Sequence, residues 1–176
     1  MAKDYRTEAE KTVDALIRSK EKRLLVCARS QRIFLCGDYD TETLSILQEA
    51  RESLFLERYN PFLLDGTPAT QIDHLNKELV ALRKADIVIL VDGERPGTWT
   101  ESILAMLQDQ FGKKVLFFYD RNKKTIETVG NCQDYHVYFL SKYGYSDRRD
   151  LIKQIITFAK QAAHHEACRL LREESE

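Results

Sequence analysis

The side chains best suited to chemistry in this 176-residue sequence are carboxylates, and they gather in three places. Asp38 and Asp40 follow Gly37 and flank Tyr39. Asp92 and Glu94 lead through Arg95, Gly97, Thr98 and Trp99 to Glu101, and Asp120 stands beside Arg121 after a later apolar run. Carboxylates serve as nucleophiles, as general acids or bases, and as acceptors for hydroxyl groups. The phosphate-cradling alternatives are missing. There is no G-x-x-x-x-G-K-[ST], and no G-x-G-x-x-G follows the first apolar run, which argues against a nucleoside triphosphatase and a typical dinucleotide dehydrogenase. The stretch Thr98-Trp99-Thr100-Glu101 has two readings, because a Thr followed three residues later by Glu is also a capping box that ties the carboxylate to the Thr98 amide. Trp99, the single Trp, suits either stacking on a planar base or filling a gap between elements.

The elements that must position these residues alternate. Residues 4 to about 30 carry Val13, Leu16, Ile17 and Leu24 at helical spacing, which predicts a long leading helix. A short apolar run at 32 to 36 reads as a strand buried on both faces, and a helix from Thr41 follows. A second run at 61 to 64 predicts strand two. Residues 71 to 84 predict a helix that hands over to the clearest strand in the chain, 85 to 92. Further helices are expected at 98 to about 111 and 147 to about 174, with strands at 114 to 120 and 136 to 140. Tyr143-Gly144-Tyr145 reads as a turn or a closing segment. The pattern predicts an α/β fold: a flavodoxin-like or Rossmann-like, doubly wound parallel sheet of about five strands with long N- and C-terminal helices. One domain over residues 1 to 176 is expected, with the leading helix at 1 to 30, the parallel core at 32 to 140 and the last helix at 147 to 174. Ligands of such sheets bind outside the carboxyl ends of the strands, which is where all three carboxylate groups fall.

With 27 Lys and Arg against 28 Asp and Glu, the net charge of -1 disfavours a nucleic-acid polymer as partner, since that work needs clustered positive charge. A hydrophobic fraction of 43% with only 7 Gly and 3 Pro excludes a disordered or collagenous chain. Roughly 70% of the surface of a chain this long is buried on folding, so neither disulfides nor a structural metal is required. Cys27, Cys36, Cys132 and Cys168 form no C-x-x-C pair. His164 and Cys168 lie four apart on the last helix without a further ligand, so no metal and no cofactor are expected. The charged start, Met1 to Arg6, and the lack of a long apolar stretch lead to the expectation of a cytoplasmic protein with no membrane partner.

Residues 78 to 92, read with Gly97-Thr98-Trp99-Thr100-Glu101 and Ala105, resemble the nucleoside 2-deoxyribosyltransferase family, in which an Ala-Asp pair leads into a buried strand and a Gly-Ser/Thr-x-x-Glu turn opens the next helix. Phe34-Leu35-Cys36-Gly37 is similar to that family's first strand, and Lys113-Lys114-Val115 to its approach to strand four. A more distant resemblance is to TIR-like domains that cleave NAD. The resemblance spans roughly residues 32 to 120. It implies that Glu101 is a nucleophile toward the anomeric carbon of a nucleoside or nucleotide, that Glu78 or Asp73 protonates the departing base, that Asp38 and Asp92 bind ribose hydroxyls, and that amides opening the Thr98 helix receive a phosphate or sugar oxygen. Arg95 and Arg121 are the phosphate partners to hand. By its surroundings alone, with Arg83 and Lys84 following, Glu78 reads instead as a solvated surface charge.

Two functions follow. One is an enzyme that hydrolyses or transfers at the N-glycosidic bond. The other is a non-catalytic nucleotide-sensing or protein-interaction module, favoured by Arg95-Pro96 and Ile103 where the family has other residues. In both, the long terminal helices predict a homo-oligomer.

Overall fold

In the computed structural model, described over residues 7 to 37, 41 to 64, 71 to 91, 114 to 122 and 141 to 174, the first helix, α1 (Glu8–Ser30), begins with a reciprocal cap. The Thr7 hydroxyl accepts from the Glu10 amide at 3.2 Å, and the Glu10 carboxylate accepts from the Thr7 amide at 2.6 Å. Two of the amides that a helix start leaves without partners are thereby satisfied. Gln31 turns the chain into extended backbone and returns its side-chain amide to the Cys27 carbonyl at 3.0 Å. Then come β1 (Arg32–Gly37), α2 (Thr41–Leu56), β2 (Asn60–Phe62), α3 (Gln71–Lys84), β3 (Ile87–Val91), β4 (Val115–Asp120), β5 (Ser141–Tyr145) and α4 (Arg148–Glu173).

The five strands form one sheet in the order β2-β1-β3-β4-β5, every pairing parallel. This is the flavodoxin-like order. Its strands are short apolar runs because both faces are covered, and successive side chains go to opposite faces. Ile33, Leu35, Ile87, Ile89, Leu116 and Phe118 face α2, α4 and the end of α1; Phe34, Cys36, Val88, Leu90 and Phe117 face Ala81 and Leu82 of α3. On α4, Ala159, Ala163 and Ala167 recur every four residues and are fully buried, and such small side chains let the neighbouring helices approach closely. Asp147 caps α4 by accepting from the Asp150 amide at 2.9 Å.

Two strands depart from the sequence expectation. β2 ends at Phe62, which stacks on Phe34 with ring centroids 5.1 Å apart, leaving Leu63 and Leu64 beyond the strand. The expected fifth strand at 136 to 140 lies outside the described residues, and β5 runs from Ser141 to Tyr145, so the parallel core reaches 145 rather than 140. Tyr143 is neither turn nor lid. Its ring stacks on Phe158 at 3.8 Å and packs on Phe118 at 5.3 Å, which makes it core. Among the described residues no helix is long and apolar enough to cross a membrane.

Candidate functional site

The carboxyl edge is shaped first by Gly37, the last residue of β1. A Cβ there would lie 2.7 Å from the Val91 carbonyl oxygen and 3.2 Å from Thr43 Cγ2, so β1, β3 and the first turn of α2 meet too closely for any side chain. The strand pairing puts Gly37 level with Val91, so β1 and β3 end side by side. This is the switch-point geometry that ligands use in open α/β sheets.

Beneath this edge lies a carboxyl group. Glu78, on α3, is 2% exposed, so it is no solvated surface charge. The sequence reading failed because Arg83 and Lys84 are exposed while position 78 belongs to the face of α3 that continues through Ala81, Leu82 and Ala85 onto the sheet. Glu78 is close enough to Cys36 to act on it electrostatically. Burial pushes the Cys36 thiol well above its ordinary range, and the Glu78 charge adds to the effect. The thiol donates to the Ile89 carbonyl at 3.4 Å, so Cys36 is a neutral, packed residue rather than a nucleophile.

Asp73, the other candidate acid, also lies on α3. It stands five positions before Glu78. Asp38, Tyr39, Asp40, Asp92, Arg95, Gly97, Thr98, Trp99 and Glu101 lie outside the described residues. Of the candidates, then, Gly37 ends β1 at the carboxyl edge, Glu78 is buried on α3 within electrostatic reach of Cys36, and Asp73 lies on the same helix.

The far side of the rim is held by structural hydrogen bonds. Asp120 accepts from the Asn122 amide at 2.8 Å in a tight turn, and the Asn122 side chain donates to the Ser146 carbonyl at 2.8 Å. The Arg121 amide donates to the Tyr145 carbonyl at 3.0 Å. Asp150 accepts from the Ser146 amide and hydroxyl. These bonds lock the ends of β4 and β5 together, and they give Asp120 a turn role.

The opposite, amino edge is also accounted for. Asp86 accepts from the Arg32 amide at 2.8 Å and from the guanidinium at 3.2 Å, tying the start of β1 to that of β3. Burial alone would raise the Asp86 carboxyl, but the hydrogen bonds from Arg32 and the charges of Arg32 and Lys114 hold it below the usual carboxylate range. Lys114 donates to the carbonyls of Leu82 and Ala85 at 3.0 and 2.7 Å, closing the end of α3. A cleft of about 340 Å³ opens here between α4 and the starts of β3 and β4, but Asp86, Lys114 and Glu166 on its wall are engaged by Arg32, by these carbonyls and by Arg169. His164 shares a hydrogen bond of 3.2 Å with the Tyr59 hydroxyl, joining α4 to the turn between α2 and β2.

The fold is that of a flavodoxin-like parallel α/β protein, with the Glu78 carboxyl group buried against one face of its sheet. No family model matches the sequence, and no curated protein sequence matches it. Among solved structures it is similar to the CMP N-glycosidase BcmB of Clostridium botulinum, with a TM-score of 0.50 and 12% identity over 71% of this chain and 98% of that one. It is also similar to a point mutant of a flavo di-iron protein from Thermotoga maritima, with a TM-score of 0.48 and 15% identity over 80% of this chain and 38% of that one. At these identities the likeness to the glycosidase is one of fold.

Proposed function

We propose that this chain cleaves, or transfers at, the N-glycosidic bond of a nucleoside or nucleotide, with Glu101 as nucleophile and Glu78 as the acid that protonates the departing base. The observation that carries the proposal is the burial of Glu78 beside Cys36 at the carboxyl edge. A carboxyl group held out of bulk water at this height of the sheet is suited to the general-acid step that a departing base requires. The shared fold with a CMP N-glycosidase supports the substrate class, although fold by itself does not set function.

In this reading a Glu101 oxygen bonds to the anomeric carbon as the bond from that carbon to the base nitrogen breaks, and the Glu78 proton goes to the base. The carboxylate left on Glu78 then takes a proton from water, or from an incoming base, which attacks the same carbon and frees Glu101. Asp38 and Asp92 bind the sugar hydroxyls. Asp73 is the alternative acid.

The test is to incubate the protein and Glu101→Ala with nucleosides, nucleoside monophosphates and NAD, and to follow free base. Release by the wild type and background by the variant is expected. Background release from both on every compound would instead favour the non-catalytic module.

A further inference from the structure

We propose that α1 pairs antiparallel with the α1 of a second copy of the chain, in the line where α4 stops. α1 arrives at the amino edge of the sheet, where β1 begins, whereas α4 leaves the carboxyl end of β5 and runs back past that edge, so the two helices are antiparallel. The Arg23 guanidinium meets the Glu174 carboxylate at 2.6 Å, one residue beyond the end of α4. Residues 8 to 22 therefore continue past the described end of α4 for about 22 Å at 1.5 Å per residue.

Along α1, Val13, Ile17, Lys20, Leu24 and Cys27 follow one another at alternating steps of four and three, the spacing of a helix-pairing seam. The inner part of the seam is used, since Leu24 and Cys27 pack against the core. In the outer part the large apolar side chains are exposed. Val13, Leu16 and Ile17 are 54%, 58% and 50% exposed. A helical extension of this length without a packed face is marginal in water, so an occupant for the seam stabilises the helix itself.

The occupant is selected by register and charge. A helix in line with α4 runs antiparallel to α1, as a second α1 does when related by a two-fold axis. Its helical start follows Thr7, and setting that residue level with Arg23, where α4 gives out, makes opposed positions sum to 30. In that register Val13 of each copy faces Ile17 of the other, and Glu10 of each faces Lys20 of the other. The axis passes beside Ala15. Glu8, Glu10 and Asp14 lie before this centre and Arg18, Lys20, Lys22 and Arg23 after it, with Lys11 and Glu21 the exceptions in their halves. Antiparallel self-pairing sets the acidic half on the basic half, and parallel pairing would set like on like.

Sedimentation velocity of the full chain over a concentration series tests this. The wild type is expected to pass from monomer to dimer as concentration rises into the tens of micromolar. Ile17→Asp is expected to stay monomeric with an unchanged circular dichroism spectrum, because its side chain is half exposed in the monomer. Lys20→Glu and Glu10→Lys each put like charges opposite at two places and are expected to weaken the dimer about tenfold. An equimolar mixture of the two restores attraction at both places, so its recovery of the dimer separates pairing from the loss of the Thr7 cap in Glu10→Lys. A wild type that stays monomeric, a dimer unmoved by Ile17→Asp, or a mixture no better than its components would overturn the proposal.

Discussion

The Glu78 carboxyl group lies near enough to the Cys36 thiol for its charge to add to the burial that pushes that thiol up. The two causes differ in size, burial being the larger, so they can be separated. In Glu78→Gln the Cys36 thiol is expected to titrate somewhat lower than in the wild type yet still above an ordinary thiol, because the desolvation remains. Ultraviolet absorbance of the thiolate across alkaline pH reads this, with Cys36→Ala identifying the signal. An unchanged titration would separate the two groups.

If Glu78 protonates the leaving base, its removal matters only where the leaving group needs a proton. Glu78→Gln is expected to slow release of natural bases by about 10²- to 10⁴-fold while sparing an activated nitrophenyl glycoside in the first step. Equal loss on both kinds of substrate would assign Glu78 a purely structural part.

Gly37 and Gly144 are both strand glycines, and the structure separates their tolerance. A methyl group at Gly37 meets the Val91 carbonyl oxygen at 2.7 Å, a backbone atom that moves only with β3. At Gly144 it meets Arg121 Nε at 2.6 Å and Cγ at 2.8 Å, atoms of a flexible side chain, with Tyr119 Cζ at 3.0 Å. Gly37→Ala is expected to cost about 1–3 kcal/mol by overpacking, and Gly144→Ala less than about 1 kcal/mol. Urea unfolding of both variants checks the order, and equal costs would contradict the reading of the carboxyl edge.

The sheet order was legible because β1 and β3 are apolar runs with no polar interruption, which only a strand covered on both faces produces. β5 was not. Among the described residues it has a single strand neighbour, and it holds a Lys and a Gly, so the denser apolar run just before it carried the stronger strand signal. The same physics hid Glu78. A charged residue three positions before the buried Ala81 and four before the buried Leu82 lies on the packed face of α3, yet charge outweighed periodicity in the reading. Gly37 was legible from the break it makes at the end of an apolar strand, but the close approach of Val91 that requires it comes from a strand more than fifty residues away.

Asp86 gives stability a defined pH dependence. Its carboxyl is held below the ordinary range in the folded chain, so the folded state binds fewer protons there than the unfolded chain does. The stabilisation is complete above the unfolded carboxylate pKa of about 3.9 and is lost as pH falls through the lower folded value. Asp150 and Glu166 shift in the same direction. The urea midpoint is therefore expected to drop on acidification below about pH 4. Asp86→Asn should be less stable by about 1 kcal/mol at neutral pH and lose less on acidification. Parallel acid profiles for the two proteins would contradict the bridge to Arg32.

The most direct measurement of the proposed chemistry is mass spectrometry of the acid-quenched protein during turnover of the compound from which it releases base. A covalent adduct of one sugar unit, with any phosphate it carries, is expected on the peptide containing Glu101, and both adduct and base release should vanish in Glu101→Ala. Base release that persists undiminished in Glu101→Ala, with no adduct on that peptide, would contradict the assignment of Glu101 as nucleophile.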